Sequence, residues 1–291
     1  MKLSVSTYSL HRLVGSGEYT HRDLVKLVKD IGFDAIETTD IQPVDGLSVE
    51  ETAKLFREEA DKYDLPISSY TVSADFITGS DGDYKKEIEA VKAKVDVAAI
   101  LGVECMRHDV TRGFNSKAER TYKGFDNVLP LLADCCREVT EYAQSKGIKT
   151  MVENHGYFAQ DADRVEKLVN TVAHDNFGLL VDMGNFLCAD ENPVVSVGKT
   201  APYAFYGHAK DWHIKPANSI DPGMGFMMTR GGTYIRGAVI GHGDVPILQC
   251  LRALKRAEYD GYVSIEFEGM ENPIDGVKIG YQNLRRMLEM I

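Results

Sequence analysis

Glu153, Asp182, His208 and Glu266 each stand near the end of a short apolar run: MVEN at 151–154, LLVDMGN at 179–185, YGHAKDWH at 206–213 and SIEFEG at 264–269. Together they offer carboxylates and one imidazole, a donor set without the thiolates of a structural zinc site. Such a set suits Mn2+ or Mg2+, and the histidine also admits Co2+, Fe2+ or Zn2+. Taken singly, a strand-end acid is more often a cap or salt-bridge member, and a histidine a hydrogen-bonded core residue. The recurrence at four strand ends is what points to a metal. It can do chemistry only if the fold brings the four together.

The elements that would position them alternate along the chain. LSVSTYSL at 3–10 reads as a strand. YTHRDLVKLVKDIG at 19–32 reads as a helix capped by Thr20, with Leu24, Leu27, Val28 and Ile31 at helical spacing and Gly32 at its end. FDAIETTD at 33–40 is the next strand, and the helix at 48–63 opens with Ser48 and Glu51 in capping-box spacing. Further strands fall at 65–76, 103–110, 148–156, 176–185, 201–213 and 261–269. Helices fall at 84–101, 124–146, 161–173, 247–258 and 274–290, a polar loop precedes the one at 124, and the helix after 185 is indistinct. This rhythm predicts an α/β protein of the (β/α)8 TIM-barrel class, one domain over 1–291. Right-handed crossovers would set all carboxyl ends of the strands on one face, where the four donors would meet. The stretch at about 214–240, rich in Gly, Met and aromatic residues, breaks the rhythm and predicts an inserted active-site loop. An open doubly wound sheet alternates similarly, but neither GxGxxG nor GxxxxGK[ST] follows a strand, and GHGDVP at 241–246 is only a GxG turn.

A formal charge of −11 argues against nucleic acid as a partner, since a phosphate-backbone interface needs a basic surface. A small substrate stays compatible, because a metal reverses the local field. No stretch approaches the ~20 apolar residues that span a bilayer, and MKLSVSTYSL at the start lacks a signal-peptide core. Cys105, Cys135, Cys136, Cys188 and Cys250 show no zinc-type spacing. They read as reduced, small hydrophobes, and the expected location is cytoplasmic, with no membrane partner.

VEN at 152–154, VDMGN at 181–185, HAKD at 208–211, GHGDVP at 241–246 and IEFEG at 265–269 resemble the motifs of the xylose-isomerase-like barrel family, specifically its sugar isomerase/epimerase and inosose-dehydratase branches. The resemblance covers nearly the whole chain and implies one divalent metal, commonly Mn2+, on Glu153, Asp182, His208 and Glu266. In the epimerase branch it further implies that Glu153 and Glu266 flank a carbonyl sugar and exchange a proton through a cis-enediolate. Asn185 departs from the pattern, standing where some epimerases carry a substrate-contacting histidine.

Strand alternation places His155, Lys210 and Glu268 on the faces of Glu153, His208 and Glu266. His155 and Lys210 are candidates for binding sugar hydroxyls or an enolate, and Glu268 for an electrostatic partner. Glu37 could receive a substrate hydroxyl, His108 could act as a base above the metal, and Asn185 and Asp211 could contact substrate. Arg230 and Arg236 could recognise a carboxylate or phosphate, and Trp212 with Phe226, Met227 and Met228 could cover an apolar sugar face or form a contact in a homo-oligomer. The leading expectation is a metal-dependent isomerase or epimerase of a small polyhydroxylated carbonyl compound. Alternatives are a dehydratase or β-eliminase on an inosose or keto-sugar, a noncatalytic metal-dependent sugar-binding protein and, least favoured, an abasic-site endonuclease.

Overall fold

The computed structural model describes residues 1–114 and 124–291. Its barrel strands are β1 (Lys2–Ser6), β2 (Ala35–Thr39), β3 (Ile67–Val72), β4 (Cys105–His108), β5 (Lys149–Glu153), β6 (Phe177–Asp182) and β7 (Ala204–Ala209). A small sheet of β8 (Asp211–Lys215), β9 (Met227–Met228) and β10 (Tyr234–Ala238) precedes the last barrel strand, β11 (Tyr262–Ile265). β1 pairs with both β2 and β11, all barrel pairings are parallel, and the barrel closes. Around it lie α1 (His11–Gly15), α2 (His21–Ile31), α3 (Val49–Lys62), α4 (Tyr84–Leu101), α5 (Phe125–Ser145), α6 (Ala162–Val172), α7 (Pro193–Thr200), α8 (Ile247–Arg256) and α9 (Pro273–Leu288). The fold is the (β/α)8 barrel that the alternation predicts.

Local chemistry sets the helix limits. Thr20 and Asp23 close a reciprocal capping box at the start of α2, Ser48 and Glu51 do so for α3, and Gly32 ends α2 with a left-handed φ of 107°. Each cap stabilises its helix by roughly 1 kcal/mol. The apolar stripes of these helices, among them Leu24, Val28, Ala53 and Phe56, pack on the outward residues Leu3, Val5, Ile36, Val152, Val181 and Ile265 of the strands. Burial of each large side chain contributes about 1.5–3 kcal/mol.

The inward residues differ by level. Cys105, Met151, Leu180 and Tyr206 form a separate apolar cluster inside the barrel, and the Tyr206 hydroxyl lies 2.6 Å from Ser68 Oγ, itself 2.8 Å from Ser4 Oγ. One inward step further along, β5, β6 and β7 reach Glu153, Asp182 and His208, so the donors stand on an apolar floor at the carboxyl ends of the strands.

Three boundaries differ from the sequence reading. The first strand stops at Ser6 because Thr7–Leu10 winds into a 3-10 turn. The strand expected over 201–213 breaks at Lys210, after which the backbone leaves the barrel and pairs with β10. The segment read as an inserted loop contributes short strands to a three-stranded antiparallel sheet in the order β8-β10-β9 and is otherwise irregular. The expected polar loop before α5 falls, at 115–123, outside the described residues. Among the described residues, no helix is long and apolar enough to cross a membrane, and all five cysteines are buried and unpaired.

Candidate metal centre

Glu153, Asp182, His208 and Glu266 each bring one ligand atom into a group whose members lie within 4.8 Å of one another. His208 Nδ1 is 3.7 Å from Asp182 Oδ2, 3.7 Å from Glu266 Oε2 and 3.9 Å from Glu153 Oε1. The surroundings hold these atoms ready. Asn154 bonds both backbone groups of Asp182, at 2.9 and 3.0 Å, fixing β6 beside β5 where regular pairing ends. Asp182 Oδ1 accepts the N–H groups of Gly184 and Asn185 at 2.7 and 2.8 Å, which leaves Oδ2 facing the group. Gly184 is required for its closeness: a Cβ there would lie 2.6 Å from the Lys210 carbonyl oxygen and 2.8 Å from the Trp212 indole nitrogen.

His208 Nε2 bonds the carboxylate of Glu37 at 2.8 Å. A ligating imidazole commonly donates its second N–H to a carboxylate, which fixes the tautomer and aims the free nitrogen at the ion. Asp182 Oδ2 and His208 Nδ1 are buried and lack any hydrogen-bond partner. Buried polar atoms without partners are rare, and two of them converging in an oxygen-rich group fit a divalent cation. Burial opposes charge on His208, but Glu37 and Glu266 overcome it and hold the imidazole well above its ordinary range. Burial raises the carboxyl of Glu153, whereas Lys210 and His208 outweigh burial at Glu266 and hold it well below the carboxylate range.

Beside the donors run two charged arms. On one, Arg107 lies 2.5 Å from Glu153 and 3.0 Å from Asp109, whose Oδ1 is 2.9 Å from His155 Nδ1. Burial opposes protonation of His155, yet Asp109 raises its pKa on balance. On the other arm Lys210 bonds Glu266 and reaches Glu268 at 3.0 Å, Asn185 Oδ1 at 3.1 Å and Asp182 at 3.4 Å. Asn185 links the arms by donating to Glu153 Oε1 at 2.8 Å. A cavity of about 370 Å3 opens next to them, and its lining includes Arg112, His155, Tyr157, Lys210, Trp212 and Glu268. A larger hollow, about 950 Å3, lies at the opposite end of the barrel and is lined by Lys2, Lys149 and Tyr262 among others.

Several residues proposed from sequence lie elsewhere. Glu37 is fully buried beneath His208, where Thr71 also bonds it at 2.8 Å, so it supports a ligand and has no route to a substrate hydroxyl. His108 points away from the donors: strand alternation gives the inner face to Arg107 and turns the imidazole outward against Phe76 and Phe177. Asp211 accepts the backbone N–H groups of Trp212, Gly241, Gly243 and Val245, at 2.8–3.0 Å, and thereby organises the GHGDVP turn. Arg230 is spent on Asp161, at 2.5 Å, and on the Tyr157 carbonyl. Arg236 stacks on Phe226 with Met270 and Glu271 nearby and is not part of the cavity lining. His155, Asn185, Lys210 and Trp212 do line the cavity. The sequence reading gave no role to Arg107, Asp109 or Asn154. For Arg107 and Asp109 the signal was period-two spacing, which puts both on one face of the strand end, opposite to His108.

Fold and site together define a TIM barrel with a carboxylate–histidine group at its carboxyl mouth. The chain belongs to the xylose isomerase-like TIM barrel family, whose model matches residues 25–287. It is 27% identical over 151 residues to an inosose dehydratase of Clostridium beijerinckii, a match spanning 50% of each chain. It is 24% identical over 208 residues to an inosose dehydratase of Clostridium botulinum, covering 69% of this chain and 67% of that protein. Solved structures that share the fold include two that hold a metal. The IOLI protein with a binding zinc atom has a TM-score of 0.75 at 18% identity over 100% of this chain and 99% of that one. A xylose isomerase-like TIM barrel protein from Mycobacterium smegmatis in complex with magnesium has a TM-score of 0.68 at 21% identity, over 92% and 87%.

Proposed function

We propose that the protein is a divalent-metal-dependent dehydratase that removes water from a small polyhydroxylated carbonyl compound of the inosose or keto-sugar type. The observation that carries this reading is the His155–Asp109 pair, which opens onto the cavity beside the four donors. Glu153, Asp182, His208 and Glu266 would hold the cation, with Mn2+ the first choice for an oxygen-rich set and Mg2+ or Zn2+ next. A cation held there polarises a substrate carbonyl and makes the neighbouring C–H more acidic.

The chain's own residues supply the remainder. Asp109 holds His155 Nδ1, so Nε2 is the nitrogen available to the cavity. That nitrogen takes the proton from the carbon next to the carbonyl, and the electron pair moves into the C–C bond as the β-hydroxyl leaves. The imidazolium returns the same proton to the departing hydroxide, giving an enone and water with no external reagent. The Lys210 ammonium, whose donors are taken by Glu266, Glu268 and Asn185, supplies positive charge beside the oxygen on which negative charge develops.

The epimerase alternative needs Glu153 and Glu266 free on opposite faces of one carbon. Glu153 is engaged by Arg107 and Asn185 and Glu266 by Lys210, so both serve better as donors than as a proton-transfer pair. Two dehydratases among the relatives support the same choice. Incubating the Mn2+-loaded protein with inososes and keto-sugars in D2O separates the outcomes. Dehydration predicts growth of enone absorbance, a fall of at least ~100-fold in kcat for His155→Gln, and unchanged bound metal. Deuterium incorporation or interconversion of substrates without enone would replace dehydration by isomerisation.

A further inference from the structure

The cavity contains one strong group with nothing to do. The hydrogen bonds of its other polar walls are largely internal: Gln160 bonds Tyr157 N–H and the Asn185 carbonyl, Asn185 bonds Glu153 and Lys210, and Lys210 is enclosed by carboxylates. Arg112 also lines this cavity. Its backbone N–H meets Asp75, but among the described residues its guanidinium has no carboxylate, carbonyl or ring partner. The contrast with its neighbours is sharp, since Arg107 and Arg230 both face carboxylates at the same end of the barrel.

The backbone beneath Arg112 is fixed. Thr111 is buried and its hydroxyl donates to Asp75 at 2.7 Å, while Gly113 N–H returns to the Thr111 hydroxyl at 2.9 Å. Arg112 is exposed at the cavity edge, and its stem runs over Gly156, the neighbour of His155, where an added Cβ would sit 3.7 Å from Arg112 Cγ. A guanidinium offers five donors in a planar fork suited to a carboxylate, and paired N–H bonds to such a group are the strong kind. Nearby, the Trp212 indole nitrogen is buried without a partner and His155 Nε2 is a further nitrogen, while the Glu268 carboxylate on the same lining is held by Lys210 at 3.0 Å. This rim of the cavity therefore lacks a partner rich in acceptors.

We propose that Arg112 is a specificity-determining residue that binds a carboxylate substituent on the substrate, making the preferred substrate an acidic polyhydroxylated carbonyl compound. The inference rests on the dehydratase reading for the rest of the substrate and adds its charge. A carboxylate held at Arg112 would orient the ring so that one edge faces His155, leaving the carbonyl end for the donors and Lys210.

Binding tests this without requiring turnover. Calorimetric titration of the Mn2+-loaded protein at low salt uses a matched pair of probes, quinate as a carboxylated cyclohexane polyol and quercitol as a neutral one. The inference predicts about tenfold tighter binding of quinate, and a ratio of the two dissociation constants that collapses toward one in Arg112→Gln. Arg112→Lys should recover part of the ratio, because it keeps the charge and loses the fork. Equal affinities in the wild type, or an unchanged ratio in Arg112→Gln, overturn the carboxylate assignment while leaving the dehydratase reading in place. Binding of neither probe also overturns the carboxylate assignment, and the dehydratase reading is then decided separately by the enone assay. Circular dichroism and metal content matching the wild type show that each variant is folded and loaded.

Discussion

His208 could ligate through either ring nitrogen, and Glu37 decides which. The 2.8 Å bond to Nε2 leaves Nδ1 directed at Glu153, Asp182 and Glu266. Glu37→Gln should therefore weaken Mn2+ binding by roughly 10- to 100-fold while the far-ultraviolet spectrum stays native. Unaltered affinity would show that the carboxylate is not needed to orient the imidazole. At this scale much of the site was legible, since four donors at four strand ends could be read without coordinates. Glu37 was legible as a strand-end acid facing the site but not as a partner of His208, because the two lie on β2 and β7, across the barrel. Arg107 and Asp109 were within reach of alternation, and assigning His108 to the wrong face hid them.

Between barrel and helices, the outward turn of His108 has a consequence for stability. Its Nδ1–H donates to the Asp109 carbonyl at 2.8 Å, Nε2 is buried without a partner, and burial pushes its pKa down to about 4. An unfolded histidine titrates near 6.5. Above that pH both states are neutral and the residue has no effect on stability. Between about 6.5 and 4 the unfolded chain takes up the proton and the folded chain does not, so stability falls by an amount on the order of 3 kcal/mol in total. Urea denaturation at pH 7 and pH 5 should show a smaller difference for His108→Gln or His108→Leu than for the wild type. An equal difference would place the acid sensitivity elsewhere.

Elements were read more easily than their ends. Period and caps marked the helices, while α7 was obscured by its short, Pro- and Val-rich sequence, PVVSVGKT. The β8-β10-β9 sheet looked like a loop because Gly, Met and aromatic residues outnumber strand signals there. Its alternation is confined to the paired stretches DWHIK and YIRGA. The sheet is tied down by contacts no local pattern predicts: Thr229 to Asp190 at 2.6 Å, Arg230 to Asp161 at 2.5 Å and Met227 against the cavity. Arg230, expected to meet substrate, instead fastens this sheet over the mouth.

For the molecule as a whole, the barrel makes neighbours of residues remote in sequence, and the cost is a concentration of negative charge at its mouth. Glu37, Glu153 and Asp182 are buried and Glu266 part-buried near one another, in a chain whose formal charge is −11. Lys210, Arg107 and His208 offset part of that charge, and a bound cation would offset more. Binding to the folded state alone would stabilise it by about 2.7 kcal/mol at a free metal concentration 100 times the dissociation constant. Substrate identity was the least legible property, because it depends on which rim groups remain unpaired after folding, and Arg112 cannot be told from other arginines until its partners are counted.

The most direct test is titration of Mn2+ into chelator-treated protein, followed by calorimetry, for the wild type and for Asp182→Asn. Asp182 Oδ2 has no hydrogen-bond partner in the protein and its charged neighbour is Lys210 Nζ at 3.4 Å, so the change removes the proposed ligand's charge while keeping its shape, and circular dichroism checks that the variant stays folded. One ion per wild-type chain, with affinity reduced at least ~100-fold in the variant, is the predicted result. Equal binding by both proteins, or no saturable binding by the wild type, would contradict a metal centre at Glu153, Asp182, His208 and Glu266.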